Sequence, residues 1–283
     1  RQWQAWVGPS PKTEEGWKRF RDYYFNTIQD EDNHMMVLLK YLEDQGLLKN
    51  SIVIYTSDHG EMQGEHGLKG KGGNMYENNI HVPLVIYHPE IKGGGHVNNI
   101  TSHLDLAPTF LDIATAGNTA QFNSITSALH GHSLLPAVKD HSVDVRNGEG
   151  ALFCFEMLSM LDGDFVLVPR YGADMNKRGF VRGIVTEDYK FARYFSPLNF
   201  NTPADYEELW NNNDVELLQC GSDEVENLAW PKDNANVQLV NTMNQKLNNL
   251  IEREIGIDNG NETSRCYKGG VSYFDKNNKD IFK

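Results

Sequence analysis

One stretch decides the fold: residues 51–89 read SIVIYTSDHGEMQGEHGLKGKGGNMYENNIHVPLVIYHP. Its two ends, SIVIYTS (51–57) and HVPLVIYHP (81–89), are apolar runs that predict strands of one sheet. The first run does not alternate with polar residues, so we expect its strand to be buried on both faces. Glycines at 60, 64 and 67 predict a tight loop between the strands, whose backbone can approach a ligand closely.

Helices are predicted on both sides of this stretch. The segment from Thr13 to Gln45 has a start signal and apolar residues at roughly helical spacing, with a possible interruption at 30–33. LDLAPTFLDIATAG (104–117) predicts a second helix, capped by Asp105 and ended by Gly117. Residues 1–145 are therefore predicted to form a layered α/β domain with a largely parallel sheet.

The pattern changes in residues 146–283. Shorter β-like pieces appear there: ALFCFEML (151–158), DFVLVP (164–169), RGFVRGIVT (178–186) and YKFARYF (189–195). VQLVNTMNQKLNNLIEREIG (237–256) then predicts an amphipathic helix. These segments predict a second, small domain in which an antiparallel sheet packs on a helix.

Composition excludes several classes of protein. The 283 residues carry a formal net charge of -13 and no basic run, which argues against binding to nucleic acid. No apolar stretch approaches the roughly 20 residues of a membrane helix, so no membrane segment is expected. The chain opens without a methionine or a signal peptide, so we expect a processed or partial chain. The three cysteines, Cys154, Cys220 and Cys266, form no CxxC pair.

The loop after the first strand carries the candidate chemistry. Asp58 and His59 follow the carboxyl end of that strand, where ligands bind in open α/β sheets, and their side chains could share one cation. The same two residues could instead be a cap and an ordinary loop histidine. Lys71 could carry positive charge to an anionic substrate, with Lys69 as its competitor. His66 could protonate a leaving group or fix the loop.

An ordered series of segments resembles the sulfatases of the alkaline-phosphatase-like superfamily. The series includes the loop with its flanking strands, the helix before it, TSHLDLAPTFLDIATAG (101–117) and GHSLLP (131–136). It continues through VRGIVTEDYKFARYF (181–195) and ELLQCGSDEVENLA (216–229), so about residues 20 to 255 are covered. The resemblance implies an alkaline-phosphatase-like layered α/β sheet, present in part, followed by a small C-terminal subdomain.

The resemblance also assigns the site. It implies that Asp58 and His59 are metal ligands and that Lys71 contacts the sulfate. The implied metal is divalent, with Ca²⁺ expected and Mn²⁺, Fe²⁺ or Zn²⁺ left open by the histidine. The implied reaction is hydrolysis of a sulfate ester on a small molecule or carbohydrate, in a periplasmic, secreted or lysosomal compartment.

One departure from the family pattern concerns the nucleophile. Sulfatases convert a Cys or Ser in a Cys/Ser-x-Pro/Ala-x-Arg motif to formylglycine, and this sequence contains no such motif. The formylglycine is therefore expected in a missing N-terminal portion, which would complete the site as a partner of this chain. Two alternatives remain: a phosphonate monoester hydrolase or phosphodiesterase of the same superfamily, and a non-catalytic relative or inactive fragment.

Overall fold

Residues 10–156, 178–196, 199–222 and 224–258 are described by the computed structural model. They fall into two compact units. The first unit comprises the described residues up to Lys71 together with Tyr76–His96, and the second comprises Gly72–Met75 together with those from Val97 onward. The domain boundary predicted between residues 145 and 146 is not the division between these two units, and it stays a prediction. The predicted strand at 164–169 lies outside the described residues, as does Cys266.

A long helix and a two-stranded sheet form the first unit. Helix α1 (Glu14–Asp44) is continuous, and the Thr13 side chain caps it by accepting a hydrogen bond from the Gly16 N–H. Strand β1 (Val53–Thr56) pairs with β2 (Leu84–Tyr87), and the short helix α2 (Glu77–Ile80) lies between them in sequence. The strands thus share one sheet, as predicted.

Two expectations for this sheet are wrong. β1 and β2 pair antiparallel, with Val53 opposite Tyr87, whereas a largely parallel sheet was expected. β1 is also not buried on both faces, because Tyr55 is 38% exposed and the other three residues are half-buried. A continuous apolar run indicates a strand, but it does not give the direction of the neighbouring strand or what covers each face. The sequence therefore could not predict the pairing direction or the burial of β1.

The second unit begins with three helices. They are α3 (Leu106–Thr115), α4 (Thr119–Thr126) and α5 (Leu135–Lys139). Asp105 precedes α3 but does not cap it, contrary to expectation. Its buried carboxylate instead accepts hydrogen bonds from the guanidinium of Arg146 at 2.9 and 3.0 Å and from the Ser102 and His132 N–H groups. This buried ion pair fixes the start of α3 to the chain segment before the second sheet.

The second sheet is wholly antiparallel in the order β3-β4-β5-β6. Its strands are β3 (Ala151–Glu156), β4 (Phe180–Val185), β5 (Tyr189–Phe195) and β6 (Asp214–Gln219). Helix α6 (Tyr206–Asn212) precedes β6, and helix α7 (Val237–Glu254) packs on the sheet. The predicted antiparallel sheet with its amphipathic helix is therefore confirmed. No helix in the described part of the chain is long and apolar enough to cross a membrane.

The core of the second unit lies between α7 and the sheet. Val240, Leu247 and Ile251 on the helix are buried in one cluster with Phe191 and Leu217 on the strands. We expect Ile251→Val to lower the free energy of unfolding by about 1 kcal/mol, because it removes one buried methylene group. Ile257→Val is the matched control, since Ile257 is 85% exposed and the same change there should be nearly neutral. Thermal unfolding of the two variants measures both effects, and equal shifts would contradict this packing.

Candidate functional site

The turn after β1 places Asp58 and His59 side by side. The hydroxyl of Ser57 donates a 2.8 Å hydrogen bond to the backbone oxygen of His59. The His59 N–H donates at 2.9 Å to Oδ1 of Asp58. The second carboxylate oxygen of Asp58 takes no part in these bonds, and the side chain is 82% exposed. The turn therefore presents a carboxylate to its surroundings.

The imidazole of His59 is oriented by the backbone. Its Nδ1 lies 2.9 Å from the carbonyl oxygen of Gly60, and a carbonyl can only accept, so Nδ1 carries the hydrogen. In the neutral ring Nε2 then presents a lone pair, and it lies 3.3 Å from Oδ2 of Asp58. Such a hydrogen bond on the other nitrogen is a usual way of orienting a metal-binding histidine. Two electron-pair donors that converge in this way can share a proton or a cation.

Electrostatics keep Asp58 ionised. Desolvation acts to raise the pKa of this carboxyl, but the hydrogen bonds from the His59 N–H and from its own N–H, together with the electrostatic effects of His59 and Lys71, outweigh it. The pKa of Asp58 therefore lies below its ordinary value. The carboxylate is charged at neutral pH, which a hard cation requires of an oxygen ligand. The charge of Lys71 is the weakest of the causes of this shift, so it adds a small electrostatic contribution at Asp58.

The loop returns on itself between Asp58 and Lys71. Near its start, the N–H of Met62 donates to the Gly70 carbonyl at 3.0 Å, and the Glu61 carboxylate accepts from the Gly70 N–H. Met62 is fully buried beneath this closure. The backbone directly before Lys71 is thereby held against the backbone that follows the Asp58 turn. This closure explains how a lysine thirteen residues along the chain acts on Asp58.

Gly60 is required by the close approach of another segment. Its N–H donates to the Asn79 carbonyl at 2.9 Å, and a Cβ at this position would lie 1.9 Å from the carbonyl oxygen of Asn78. No side chain fits in that space. The glycine that the sequence marked as a feature of the loop thus joins the loop to α2, and this contact fixes the turn that carries His59.

Helix α1 supports the far end of the loop. Gly64 has a φ of +102° and lies against the Trp17 ring, where a Cβ would come within 2.9 Å of a ring carbon. Burial, followed by the charge of Glu61, raises the pKa of the Tyr24 hydroxyl, and the side chain of Gln63 acts in the opposite direction. Sequence reasoning missed these supporting residues. Their aromatic identity on a helix next to a glycine-rich loop is the only signal they give.

His66 and Lys69 are placed differently from Lys71. The ring of His66 stacks on that of Tyr76, with centroids 3.8 Å apart and planes 14° apart. In the described part of the chain, His66 makes no hydrogen bond or ion pair with Asp58 or with either lysine. Lys69 is half-buried, whereas Lys71 is exposed. The loop therefore presents Lys71 outward, and the stacking of His66 fits a role in fixing the loop.

The described ranges contain no group of three or more His, Cys, Asp or Glu side chains that could hold a metal ion. Asp58 and His59 would thus supply two ligands and not a complete shell. As a pair they fit a divalent cation, because an ionised oxygen and an oriented nitrogen lone pair converge. Further ligands are needed for tight binding.

Cys154 and Cys220 are not part of a disulfide among the described residues. Desolvation raises the pKa of the Cys154 thiol to about 11, although the residue is exposed and the charge of Arg182 acts in the opposite direction. The thiolate is the nucleophilic form of cysteine, so Cys154 is protonated and unreactive at neutral pH. Neither its environment nor its sequence context makes it a catalytic nucleophile.

Comparison with known proteins identifies relatives of this chain. Residues 4–116 match the sulfatase family model. Arylsulfatase K of Canis lupus familiaris is 32% identical over 200 residues, which are 69% of this chain and 34% of the relative. N-acetylglucosamine-6-O-sulfatase of Bacteroides thetaiotaomicron is 31% identical over 194 residues, which are 66% of this chain and 31% of the relative. The chain thus spans about a third of the length of these curated relatives.

Solved structures share the fold at lower identity. The phosphonate monoester hydrolase of Agrobacterium radiobacter aligns with a TM-score of 0.63 and 22% identity, covering 94% of this chain and 46% of that one. A protein solved in complex with its substrate D-glucosamine-2-N,6-O-disulfate aligns with a TM-score of 0.55 and 24% identity, covering 84% and 43%. The α/β fold is thereby confirmed as alkaline-phosphatase-like. The sequence matches show that residues 4–116 carry a sulfatase-family segment and that about two thirds of the chain is similar to sulfatases.

Proposed function

We propose that this chain supplies one side of the active site of a sulfuric ester hydrolase. The observation that carries the proposal is the convergence of Asp58 Oδ2 and His59 Nε2, 3.3 Å apart, in a loop that also brings the charge of Lys71 to bear on Asp58. These residues lie within the segment that matches the sulfatase family. They combine two ligands for a cation with a cationic group for an anionic substrate.

The three side chains would act by electrostatics. Asp58 and His59 would hold the metal, and Lys71 would contact an oxygen of the sulfate group. A bound divalent cation supplies Lewis-acid stabilisation of negative charge on the ester oxygens. The fixed turn and the closed loop hold these groups in place before the substrate arrives, so little reorganisation is needed as charge develops.

The proposal assigns no nucleophile to this chain. Sulfatases generally use a formylglycine, and no cysteine or serine in this sequence lies in the motif that is converted to it. For the metal we propose Ca²⁺, with Mn²⁺, Fe²⁺ and Zn²⁺ as alternatives because His59 adds a nitrogen ligand. His66 is proposed only as a secondary candidate for proton transfer, since its ring is stacked on Tyr76.

For the substrate we propose a sulfated carbohydrate. One relative is an N-acetylglucosamine-6-O-sulfatase, and one protein of the same fold was solved with a disulfated glucosamine. A sulfated sugar would present an anionic group to Lys71 and the metal. The likeness to a phosphonate monoester hydrolase extends to the fold alone, and the assay below separates that activity from sulfate ester hydrolysis.

The test is hydrolysis by the whole protein that contains this chain. We expect turnover of 4-nitrocatechol sulfate with a kcat/KM about tenfold or more above that for a phenylphosphonate monoester. Dialysis against EDTA should abolish turnover, and Ca²⁺ or Mn²⁺ should restore it. A preference for the phosphonate ester, or full activity after removal of the metal, would contradict the proposal.

A further inference from the structure

A small cleft in the second unit, at the ends of α6 and α7, is distinct from the loop that carries Asp58. Its volume is about 300 Å³, and its apolar lining consists of Tyr206, Trp210 and Val237. The ring of Trp210 lies 6.1 Å from that of Tyr206 and 6.1 Å from that of Trp230. The planes of Trp210 and Trp230 are inclined by 53°, so the indole of Trp230 stands at an angle beside the wall that Trp210 contributes to the cleft.

Trp230 is 67% exposed at the edge of this wall, although it is among the largest apolar side chains. Its position is fixed by the backbone around it. The N–H of Trp230 donates to the Asn227 carbonyl at 3.0 Å, and the side chain of Asn227 bonds to Val215 and Leu217 on β6. Backbone hydrogen bonds therefore fix the segment that carries the exposed indole. Such a fixed, exposed aromatic ring is expected of a binding surface.

Polar groups surround the rings. Glu207, Asn211, Lys232 and Asp233 complete the lining of the cleft. The hydroxyl of Tyr206 donates to the carbonyl of Lys232, which ties the segment after Trp230 to α6. Aromatic faces bordered by carboxylates, an amide and an ammonium group match a sugar ring, which has apolar C–H faces and hydroxyl groups at its edge. The cleft volume is at the small end of the range for small-molecule sites.

We propose that this cleft binds an uncharged sugar unit of a carbohydrate. The cleft is lined by two carboxylates, Glu207 and Asp233, and one ammonium group, Lys232. This excess of negative charge disfavours a sulfated unit at this position. The carboxylates can accept hydrogen bonds from hydroxyl groups. The inference rests on the proposed function in one respect, which is that the substrate is a carbohydrate. A protein segment would also use exposed tryptophans, and the test separates the two occupants.

The test is calorimetric titration of the whole protein with unsulfated N-acetylglucosamine trisaccharide. We expect measurable binding to the wild type and about tenfold weaker binding to Trp230→Ala, because one stacking face is lost. Tyr23→Ala is the matched control, since Tyr23 is an exposed aromatic residue, 76% accessible, on α1. This control should bind the trisaccharide as the wild type does.

A second readout keeps this inference distinct from the proposed function. Trp230→Ala should hydrolyse 4-nitrocatechol sulfate at the wild-type rate, because that substrate is too small to need a second sugar site. Absence of trisaccharide binding to the wild type, or equal binding to Trp230→Ala, would overturn the inference while leaving sulfate hydrolysis untouched. If the wild type bound the trisaccharide but did not hydrolyse 4-nitrocatechol sulfate, the result would instead count against the proposed function.

Discussion

Replacing Lys71 with alanine should lower the turnover of a chromogenic aryl sulfate about a hundredfold. An ammonium group that stabilises charge on the sulfate in the transition state lowers the activation barrier by on the order of 3 kcal/mol. The alanine variant loses this stabilisation. Substrate binding should weaken less than turnover falls, because the charge on the sulfate oxygens increases as the reaction proceeds. The melting temperature should be almost unchanged, since Lys71 is exposed.

Two other lysines of the first unit serve as controls. Lys69→Ala tests whether Lys69 contacts the sulfate in place of Lys71. Lys69 lies two residues away and is half-buried. Lys92→Ala removes an exposed charge from a loop beyond β2 and should leave turnover unchanged. If Lys69→Ala lost turnover while Lys71→Ala kept it, the sulfate contact would belong to Lys69. If neither variant lost turnover, the cationic role of the loop would be wrong.

The largest effect is expected for Asp58→Ala. Loss of an ionised ligand should weaken metal binding and remove Lewis-acid stabilisation worth several kcal/mol, so turnover should fall about a thousandfold. Calorimetric titration with Ca²⁺ should show a higher Kd in the same variant. Folding should be little affected, because the Asp58 side chain is exposed and accepts a hydrogen bond from the adjacent His59 N–H.

Asp22→Ala is the control for this prediction. It removes an exposed carboxylate from α1, in the same unit, and should leave both Ca²⁺ affinity and turnover unchanged. Should Asp58→Ala bind Ca²⁺ as tightly as Asp22→Ala does, the metal ligands would have to be sought elsewhere. A loss of turnover with unchanged Ca²⁺ affinity would likewise contradict a ligand role for Asp58.

Local signals predicted much of the fold. Thr13 marked the start of α1, which runs from Glu14 to Asp44, and the apolar spacing after Val237 marked the buried face of α7. Both signals act within one turn or one face of a helix, so the residues that produce them are neighbours in sequence. The later antiparallel sheet followed from strand length and turn residues in the same way.

The support of the site could not be predicted, because it depends on contacts between distant segments. Gly60 meets Asn78 and Asn79, and the loop at Gly64 rests on Trp17 of α1, nearly fifty residues earlier. Propensity and periodicity contain no information on which segments approach each other. The antiparallel pairing of β1 and β2 was missed for the same reason.

The central claim is that Asp58 and His59 together hold a metal through Oδ2 and Nε2. The most direct measurement is pulsed electron paramagnetic resonance of Mn²⁺ bound to the whole protein, which detects coupling to a directly bound imidazole nitrogen. We predict a ¹⁴N coupling that is lost in His59→Gln and kept in His81→Gln, because His81 is instead paired with Glu77 on α2. A ¹⁴N coupling that is unchanged in His59→Gln, or absent from the wild type, would contradict the claim.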